Sequence, residues 1–170
     1  MNIWVVRQDI TVMPVEAIVN AANPWLTQGG GVDGAIHRNA GPALAEALAS
    51  FPGGCKVGQA VMTPGFGLPA RHIIHAVGPD CKLVSDPEEQ DALLRATYTC
   101  VLQICAQAHV KTVAIPAIST GCYGFNHRRA CRAAVSVMRS WSAPFPEVVY
   151  LVPFTPEMEK EYILALEVIP

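Results

Sequence analysis

The chain has 170 residues, enough for one compact domain and too few for two ordinary ones, so we predict a single domain spanning residues 1–170. Hydrophobic residues make up 51% of the chain and charged residues only 15%, a balance that requires extensive burial and excludes intrinsic disorder. The net charge is −2 and the nearest thing to a basic cluster is Arg128, Arg129 and Arg132, too few cations for a protein that binds duplex DNA through its phosphates.

The first part of the chain is predicted to form two strands, a loop and a helix. β-Branched and aromatic residues favour strands at 4–6 and 15–19, which we expect to pair. Residues 20–31 lack periodicity and are rich in Asn and Gly, which is typical of a loop. From 32 to 50, apolar residues return at a spacing of three to four, which predicts a helix that the Gly-Pro pair at 41–42 kinks or divides.

The rest of the chain alternates between strands and helices. The sequence Asp-Pro-Glu-Glu at 86–89 is typical of a helix start, because it offers a capping Asp, a Pro in the first turn and acids near the positive end of the helix dipole. The predicted strands are 60–63, 72–77, 112–118 and 148–152. The predicted helices are 86–108, 127–141 and 156–166, the last with Met158, Tyr162, Ile163 and Leu166 on one side.

About six strands interleaved with four helices indicate a layered α/β domain with helices on both faces of a sheet. In such sheets ligands bind at the carboxyl ends of the strands. Two glycine-containing loops, 20–31 and 119–125, each leave the carboxyl end of a predicted strand. We therefore expect the functional site where these loops meet.

Three successive glycines, Gly29–Gly31, let the backbone approach a ligand closely just before a helix begins. Consecutive N–H groups at a helix N-terminus attract an anion, and a diphosphate suits that geometry. A loop that is merely flexible is the alternative.

Four ordered segments make the sequence resemble the macrodomain family, in particular its MacroD-type branch. They are VNAAN with GGGVDGAIH in the first loop (19–23 and 29–37), PAISTGCYGF around the second (116–125), DIT at 9–11 and IHAVGP at 74–79. The resemblance implies a three-layer α/β/α macrodomain with a central mixed sheet of about six strands. It also implies ADP-ribose as the ligand, without a metal or cofactor.

The resemblance places the parts of ADP-ribose along the chain. Asp9 and the Ile10 backbone would contact the adenine edge, and Phe154 would stack on its ring. Backbone N–H groups of both loops would surround the diphosphate, and Tyr123 would cover the distal ribose. The full set of implied contacts is Asp9, Ile10, Ala22, Gly30, Gly31, Val32, Ser119, Thr120, Gly121, Cys122, Tyr123, Phe125 and Phe154.

Each of these side chains also has a purely structural interpretation. Asp9 could cap a turn after a strand. Phe154 could belong to the core, and Tyr123 and Phe125 could pack the second loop against the following helix.

The resemblance further implies an enzyme in which Asn23 and Asp33 carry the reaction. Asn23 would hydrogen-bond a hydroxyl of the distal ribose, and Asp33 would position or deprotonate a water that attacks an ester at that ribose. The implied substrates are O-acetyl-ADP-ribose and mono-ADP-ribosylated Glu or Asp side chains of proteins. Alternatively, Asn23 forms a turn before Pro24, and Asp33 stabilises the first turn of a helix.

His37 and His75 are expected to be structural, so no Ser-His-Asp arrangement is implied. Cys122 stands where the family usually has an aliphatic residue, and a thiol nucleophile there is a minor alternative. Gln8, Gln28, Asn126 and Thr155 are further departures from the family pattern, and they leave affinity and base preference open. Two rival functions remain: a module that binds ADP-ribose without turnover, and a phosphatase acting on ADP-ribose 1''-phosphate.

No basic region followed by an apolar stretch opens the chain, and its apolar runs are far shorter than the ~20 residues of a membrane-spanning helix. The six cysteines include no CxxC spacing, which favours reduced thiols over a disulfide frame. We therefore expect a cytoplasmic protein with no membrane partner.

Overall fold

A computed structural model describes all 170 residues and places six strands in one sheet. In chain order the strands are β1 (Asn2–Val5), β2 (Ala17–Ala21), β3 (Ala60–Pro64), β4 (His72–Ala76), β5 (Thr112–Pro116) and β6 (Val148–Val152). Their spatial order is β1-β6-β5-β2-β4-β3, and every neighbouring pair is parallel except β3 with β4. This confirms the predicted mixed sheet.

The expected pairing of the first two strands is wrong. β1 lies at one edge of the sheet beside β6, whereas β2 lies between β5 and β4. β2 and β5 are buried along almost their whole length and need cover on both faces, so they occupy the middle of the sheet. β1 is half-exposed and suits an edge.

The helices are α1 (Gly31–Ala40), α2 (Pro42–Leu48), α3 (Pro87–Gln107), α4 (His127–Arg139) and α5 (Pro156–Val168), with a short 3-10 helix at Ile10–Val12. The predicted helix at 32–50 is divided at Gly41, where φ is +89° and Pro42 begins the next helix.

Two of the departures from the family pattern cap helices. The Asn126 side chain accepts the Arg129 N–H at the start of α4 over 3.1 Å. The Thr155 hydroxyl accepts the Met158 N–H at the start of α5 over 3.2 Å. Both residues therefore satisfy N–H groups that a helix start otherwise leaves without an acceptor.

The sheet separates two apolar cores, which makes the fold three-layered. The larger core has 26 buried residues and joins the sheet to α3, α4 and α5, whereas the smaller has 17 and joins it to α1 and α2. On α5, Met158, Tyr162 and Ala165 face the larger core. Ile163 is 45% exposed, so its predicted place on the apolar side is wrong, because each helical step turns the side chain by about 100°.

None of the helices is long and apolar enough to cross a membrane.

Candidate active site

Four neighbouring parallel strands, β1, β6, β5 and β2, end at the same edge of the sheet. Asp9 follows β1, Phe154 follows β6, the second glycine loop follows β5 and the first follows β2. Since the strands are neighbours, these segments come together in that spatial order although they are far apart in the chain. The structure thus gathers the predicted site residues along one edge.

The outer end of this edge presents one carboxylate and one aromatic ring. Asp9 Oδ1 accepts the Thr11 N–H over 2.9 Å and the Thr11 hydroxyl over 2.7 Å, so the turn-capping role is present, while Oδ2 carries no hydrogen bond within the protein. Ile10 beside it is buried. Phe154 is 94% exposed, which excludes the alternative of a core position.

The first loop meets α1 with unused backbone donors. Gly30 caps the helix without any side-chain hydrogen bond, and the N–H groups of Gly30, Gly31 and Val32 have no acceptor in the protein. Gly31 has a φ of +56°, a conformation that glycine adopts without steric cost. Together with the helix dipole, these donors favour an anion.

The second loop adds another group of free donors beside the first. The N–H groups of Ser119, Gly121, Cys122 and Tyr123 have no acceptor in the protein, whereas the Thr120 N–H and hydroxyl are bonded to the Ala117 carbonyl.

The chain after β4 supports the second loop from behind. Gly78 packs against it so closely that an added Cβ would overlap the Ser119 Oγ. The Cys81 N–H donates to the Tyr123 carbonyl over 2.9 Å. These contacts fix the position of the loop relative to β4.

The aromatic residues of the second loop divide between surface and core. Tyr123 is half-buried, and burial followed by the nearby charge of Asp80 raises the pKa of its phenol, so it stays neutral at ordinary pH. Phe125 is only 1% exposed and lies 5.0 Å below the Arg129 guanidinium. Its side chain therefore packs in the core against α4, which is the structural interpretation given above.

Two further residues of the first loop are already bonded within the protein. Ala22 is buried and its N–H donates to the Ala76 carbonyl over 3.0 Å, which leaves only its carbonyl for a ligand. The Asn23 amide donates to the Thr27 carbonyl over 2.6 Å and accepts the Trp25 N–H over 3.1 Å. Asn23 thus holds a turn at the protein surface.

Asp33 lies in the first turn of α1 and is only 5% exposed. Oδ1 accepts a hydrogen bond from Asn20 Nδ2 over 2.6 Å, and Oδ2 accepts the Gly29 N–H over 2.5 Å. His37 Nε2 lies 3.5 Å from Oδ1. A Cβ built on Gly29 would lie 3.4 Å from Asp33 Oδ2 and 3.9 Å from Asn23 Nδ2, so the two predicted catalytic side chains flank Gly29.

The two histidines are buried, as expected for structural residues, and neither is bonded to a serine. His75 contacts Asn20 and Thr63, two residues for which the sequence predicted no role. The available signal was a single polar residue, next to last, in each of the otherwise apolar strands β2 and β3. Burial, and then the charge of His37, lowers the pKa of His75 from 6.5 to about 3, so it is neutral.

Across the whole chain, no group of three or more His, Cys, Asp or Glu side chains could hold a metal ion. The arrangement offers backbone N–H donors from two loops and one buried carboxylate at their end. It therefore defines an α/β/α domain with a site for an anionic ligand between the two glycine loops. We call the space between these loops, with Asp33 at its inner end, the cleft.

Comparison with known proteins identifies the family. The Macro domain family model matches residues 19–134. A macro domain-containing protein of Ralstonia nicotianae is 49% identical over 144 residues, 85% of this chain and 82% of that protein. An O-acetyl-ADP-ribose deacetylase of Salmonella gallinarum is 43% identical over 167 residues, 95% of this chain and 92% of that protein. This chain belongs to the Macro domain family.

Solved structures agree with this assignment. A mutant Oceanobacillus iheyensis macrodomain with ADPR has a TM-score of 0.91 and 33% identity, covering 96% of this chain and 90% of that one. The Trypanosoma brucei macrodomain in complex with ADP-ribose has a TM-score of 0.86 and 34% identity, covering 95% of this chain and 67% of that one.

Proposed function

We propose that this protein binds ADP-ribose along the described edge of the sheet and hydrolyses esters formed at its distal ribose. The substrates are O-acetyl-ADP-ribose and mono-ADP-ribosylated Glu or Asp side chains. The observation that carries the proposal is the spatial order of Asp9, Phe154, the second loop and Asp33 along one edge. That order follows the ligand from adenine through the diphosphate to the distal ribose.

Recognition in this proposal depends on backbone rather than on cations. The free N–H groups of Gly30 to Val32 and of the second loop surround the diphosphate. Phe154, being 94% exposed, offers a ring face to adenine, and the unbonded Oδ2 of Asp9 accepts from its amino group. Tyr123 covers the distal ribose with a neutral phenol.

In the proposed hydrolysis the reacting groups, Asp33 and Asn23, lie at the inner end of the cleft. Asp33 takes a proton from a water that attacks the ester carbonyl. As the bond between the carbonyl carbon and the ribose oxygen breaks, Asp33 returns that proton to the ribose oxygen, which leaves as a hydroxyl, and the acyl group leaves as a carboxylic acid. The substrate's own phosphate helps to hold the water. Asn23, across Gly29 from Asp33, bonds a ribose hydroxyl.

A purely binding module would not need a buried carboxylate beside an anionic ligand, because that charge opposes binding. The position of Asp33 at the end of the proposed diphosphate site therefore favours the enzyme over the binding module. Relatives named O-acetyl-ADP-ribose deacetylase support the same choice.

The proposal is tested by measuring the turnover of three substrates: O-acetyl-ADP-ribose, a peptide with a mono-ADP-ribosylated carboxylate, and ADP-ribose 1''-phosphate. Each is incubated with wild type, with Asp33→Ala and with Glu46→Gln. Glu46 is an exposed acid on α2 and serves as the control. We expect ester hydrolysis by wild type and Glu46→Gln, a loss of at least about a hundredfold in Asp33→Ala, and retained ADP-ribose binding in calorimetry. Binding without turnover would indicate a reader, and cleavage of the phosphate alone would indicate a phosphatase.

A further inference from the structure

A row of buried polar side chains runs beneath the cleft, from Asp33 through Asn20 and His75 to Thr63. Asn20 and His75 are completely buried, and Thr63 is 3% exposed. The row crosses three neighbouring strands, β2, β4 and β3, on the face covered by α1. The proposed reaction gives no role to His75 or Thr63.

The contact with Asp33 sets the orientation of the Asn20 amide. Asn20 Nδ2 donates to Asp33 Oδ1 over 2.6 Å, and an amide nitrogen only donates. The same Nδ2 lies 3.1 Å from His75 Nδ1, and its second hydrogen points there. His75 Nδ1 must therefore carry no proton.

The remaining proton of the neutral imidazole is on Nε2, which lies 3.0 Å from Thr63 Oγ1. The Thr63 hydroxyl donates its own hydrogen to the Pro64 carbonyl over 3.1 Å, so its oxygen is free to accept from His75. Every hydrogen in the row therefore has one allowed direction, and the row is anchored on the backbone of β3.

We propose that His75, held as the Nε2–H tautomer by Thr63, is a positioning residue that orients the Asp33 carboxylate through Asn20. This inference rests on the proposed function, because it assigns the row a task in ester hydrolysis. Asp33 thereby gains one anchor in the sheet, from Asn20, and one in the first loop, from the Gly29 N–H.

The anchor in the sheet matters because the other side of the cleft is a surface loop. Within that loop the Asn23 side chain donates to the Thr27 carbonyl and accepts from the Trp25 N–H. Asn20, by contrast, lies on β2 in the middle of the sheet, directly opposite His75 of β4. A carboxylate tied to the sheet has an orientation that does not depend on this loop alone.

Protonation of His75 would break the row, since an Nδ1–H would face the Asn20 N–H. Burial opposes that protonation, and the pKa of about 3 keeps the imidazole neutral throughout the ordinary working range. Of the charged or titratable groups nearby, His37 opposes the imidazolium further, and Asp33 is separated from His75 by the Asn20 amide.

Paired substitutions at Thr63 test this role in the full-length protein. Thr63→Val keeps the shape but removes the acceptor for Nε2–H, and Thr63→Ser keeps the hydroxyl. Thr99→Val is the matched control, because the Thr99 hydroxyl bonds only the Arg95 carbonyl of its own helix. With O-acetyl-ADP-ribose we expect Thr63→Val to lower kcat about tenfold with KM and ADP-ribose affinity unchanged, the effect of one lost hydrogen bond. Thr63→Ser should restore kcat.

A second pair of substitutions, at His75 itself, tests whether its ring must both accept and donate a hydrogen bond. His75→Gln can accept from Asn20 and donate to Thr63, whereas His75→Leu can do neither. We expect His75→Gln to retain more of the wild-type kcat than His75→Leu, with circular dichroism confirming that both variants are folded.

Nitrogen-15 NMR of the wild-type imidazole reads the tautomer without turnover, and we expect the proton on Nε2. A proton on Nδ1, or an unchanged kcat in folded Thr63→Val, would overturn the inference. Wild type that shows the Nε2–H tautomer and binds ADP-ribose but hydrolyses no ester would contradict the proposed function, and with it the catalytic task of the row. The two failures are therefore distinguishable.

Discussion

Asn20 Nδ2 lies 2.6 Å from Asp33 Oδ1, so a strand in the middle of the sheet directly holds the carboxylate at the start of α1. Both side chains are buried, and the Asn20 Oδ1 has no hydrogen-bond partner. The hydrogen bond between Asn20 and Asp33 should therefore contribute both to the stability of the fold and to the proposed hydrolysis.

A double-mutant cycle of Asn20→Ala and Asp33→Ala should show coupling of about 2 kcal/mol in the free energy of unfolding, because either single change leaves a buried polar partner unsatisfied. Urea denaturation of the two single variants and the double variant measures it. Asp33→Ala combined with Glu46→Ala is the control and should be additive. Additivity of Asn20 with Asp33 to within about 0.5 kcal/mol would contradict the expectation.

Replacement of Phe154 should affect binding and not stability. Its ring is 94% exposed, so Phe154→Ala removes little buried area, but stacking on a base contributes about 1–3 kcal/mol. We expect the ADP-ribose Kd to rise at least about fivefold in calorimetry with an unchanged Tm. Ile163→Ala, which alters an exposed apolar residue on α5, should change neither quantity. Unaltered affinity in Phe154→Ala would exclude the ring from the adenine site.

Cys122 should be the first thiol that iodoacetamide alkylates. It is the exposed cysteine, whereas burial raises the pKa of Cys55 to about 11 and those of Cys105 and Cys131 to about 12. Because Cys122 lies in the second loop, saturating ADP-ribose should slow its labelling in a mass-spectrometric time course. Cys122→Ser should lack the fast adduct. Equal labelling rates with and without the ligand would show that the loop is not at the binding site.

Acid should destabilise the protein partly through His75. Its pKa is about 3 in the folded protein and 6.5 as an unperturbed group, so the unfolded chain holds one more proton between these values. The contribution of neutral His75 to the free energy of unfolding is fully present above pH 6.5 and is lost as the pH falls toward 3. Over that range the free energy of unfolding falls by up to about 1.4 kcal/mol per pH unit.

Urea denaturation at several pH values should therefore give a shallower acid slope for His75→Gln than for wild type. Replacement of the exposed His127 by Gln is the matched control and should leave the wild-type slope unchanged. Parallel curves for wild type and His75→Gln would mean that the imidazole is not held neutral.

Local patterns were sufficient for most elements of the fold. β6 spans the predicted residues, and the divided helix at Gly41 follows from backbone chemistry that any Gly-Pro pair imposes. The pairing of β1 failed because strand neighbours are set by long-range packing, which no local pattern records. Ile163 was misplaced for a similar reason, since the face of α5 that is buried depends on where the helix docks.

By itself, the sequence determined the α/β alternation, the two glycine loops at strand ends and the family to which the motifs belong. Those features depend on residue type and short spacing. Only the tertiary structure decided that Phe125 is core, that Phe154 is free, and that Asn20, His75 and Thr63 form a row behind Asp33. Hydrogen bonds between strands far apart in sequence require the sheet order, and that order exists only once both cores have packed.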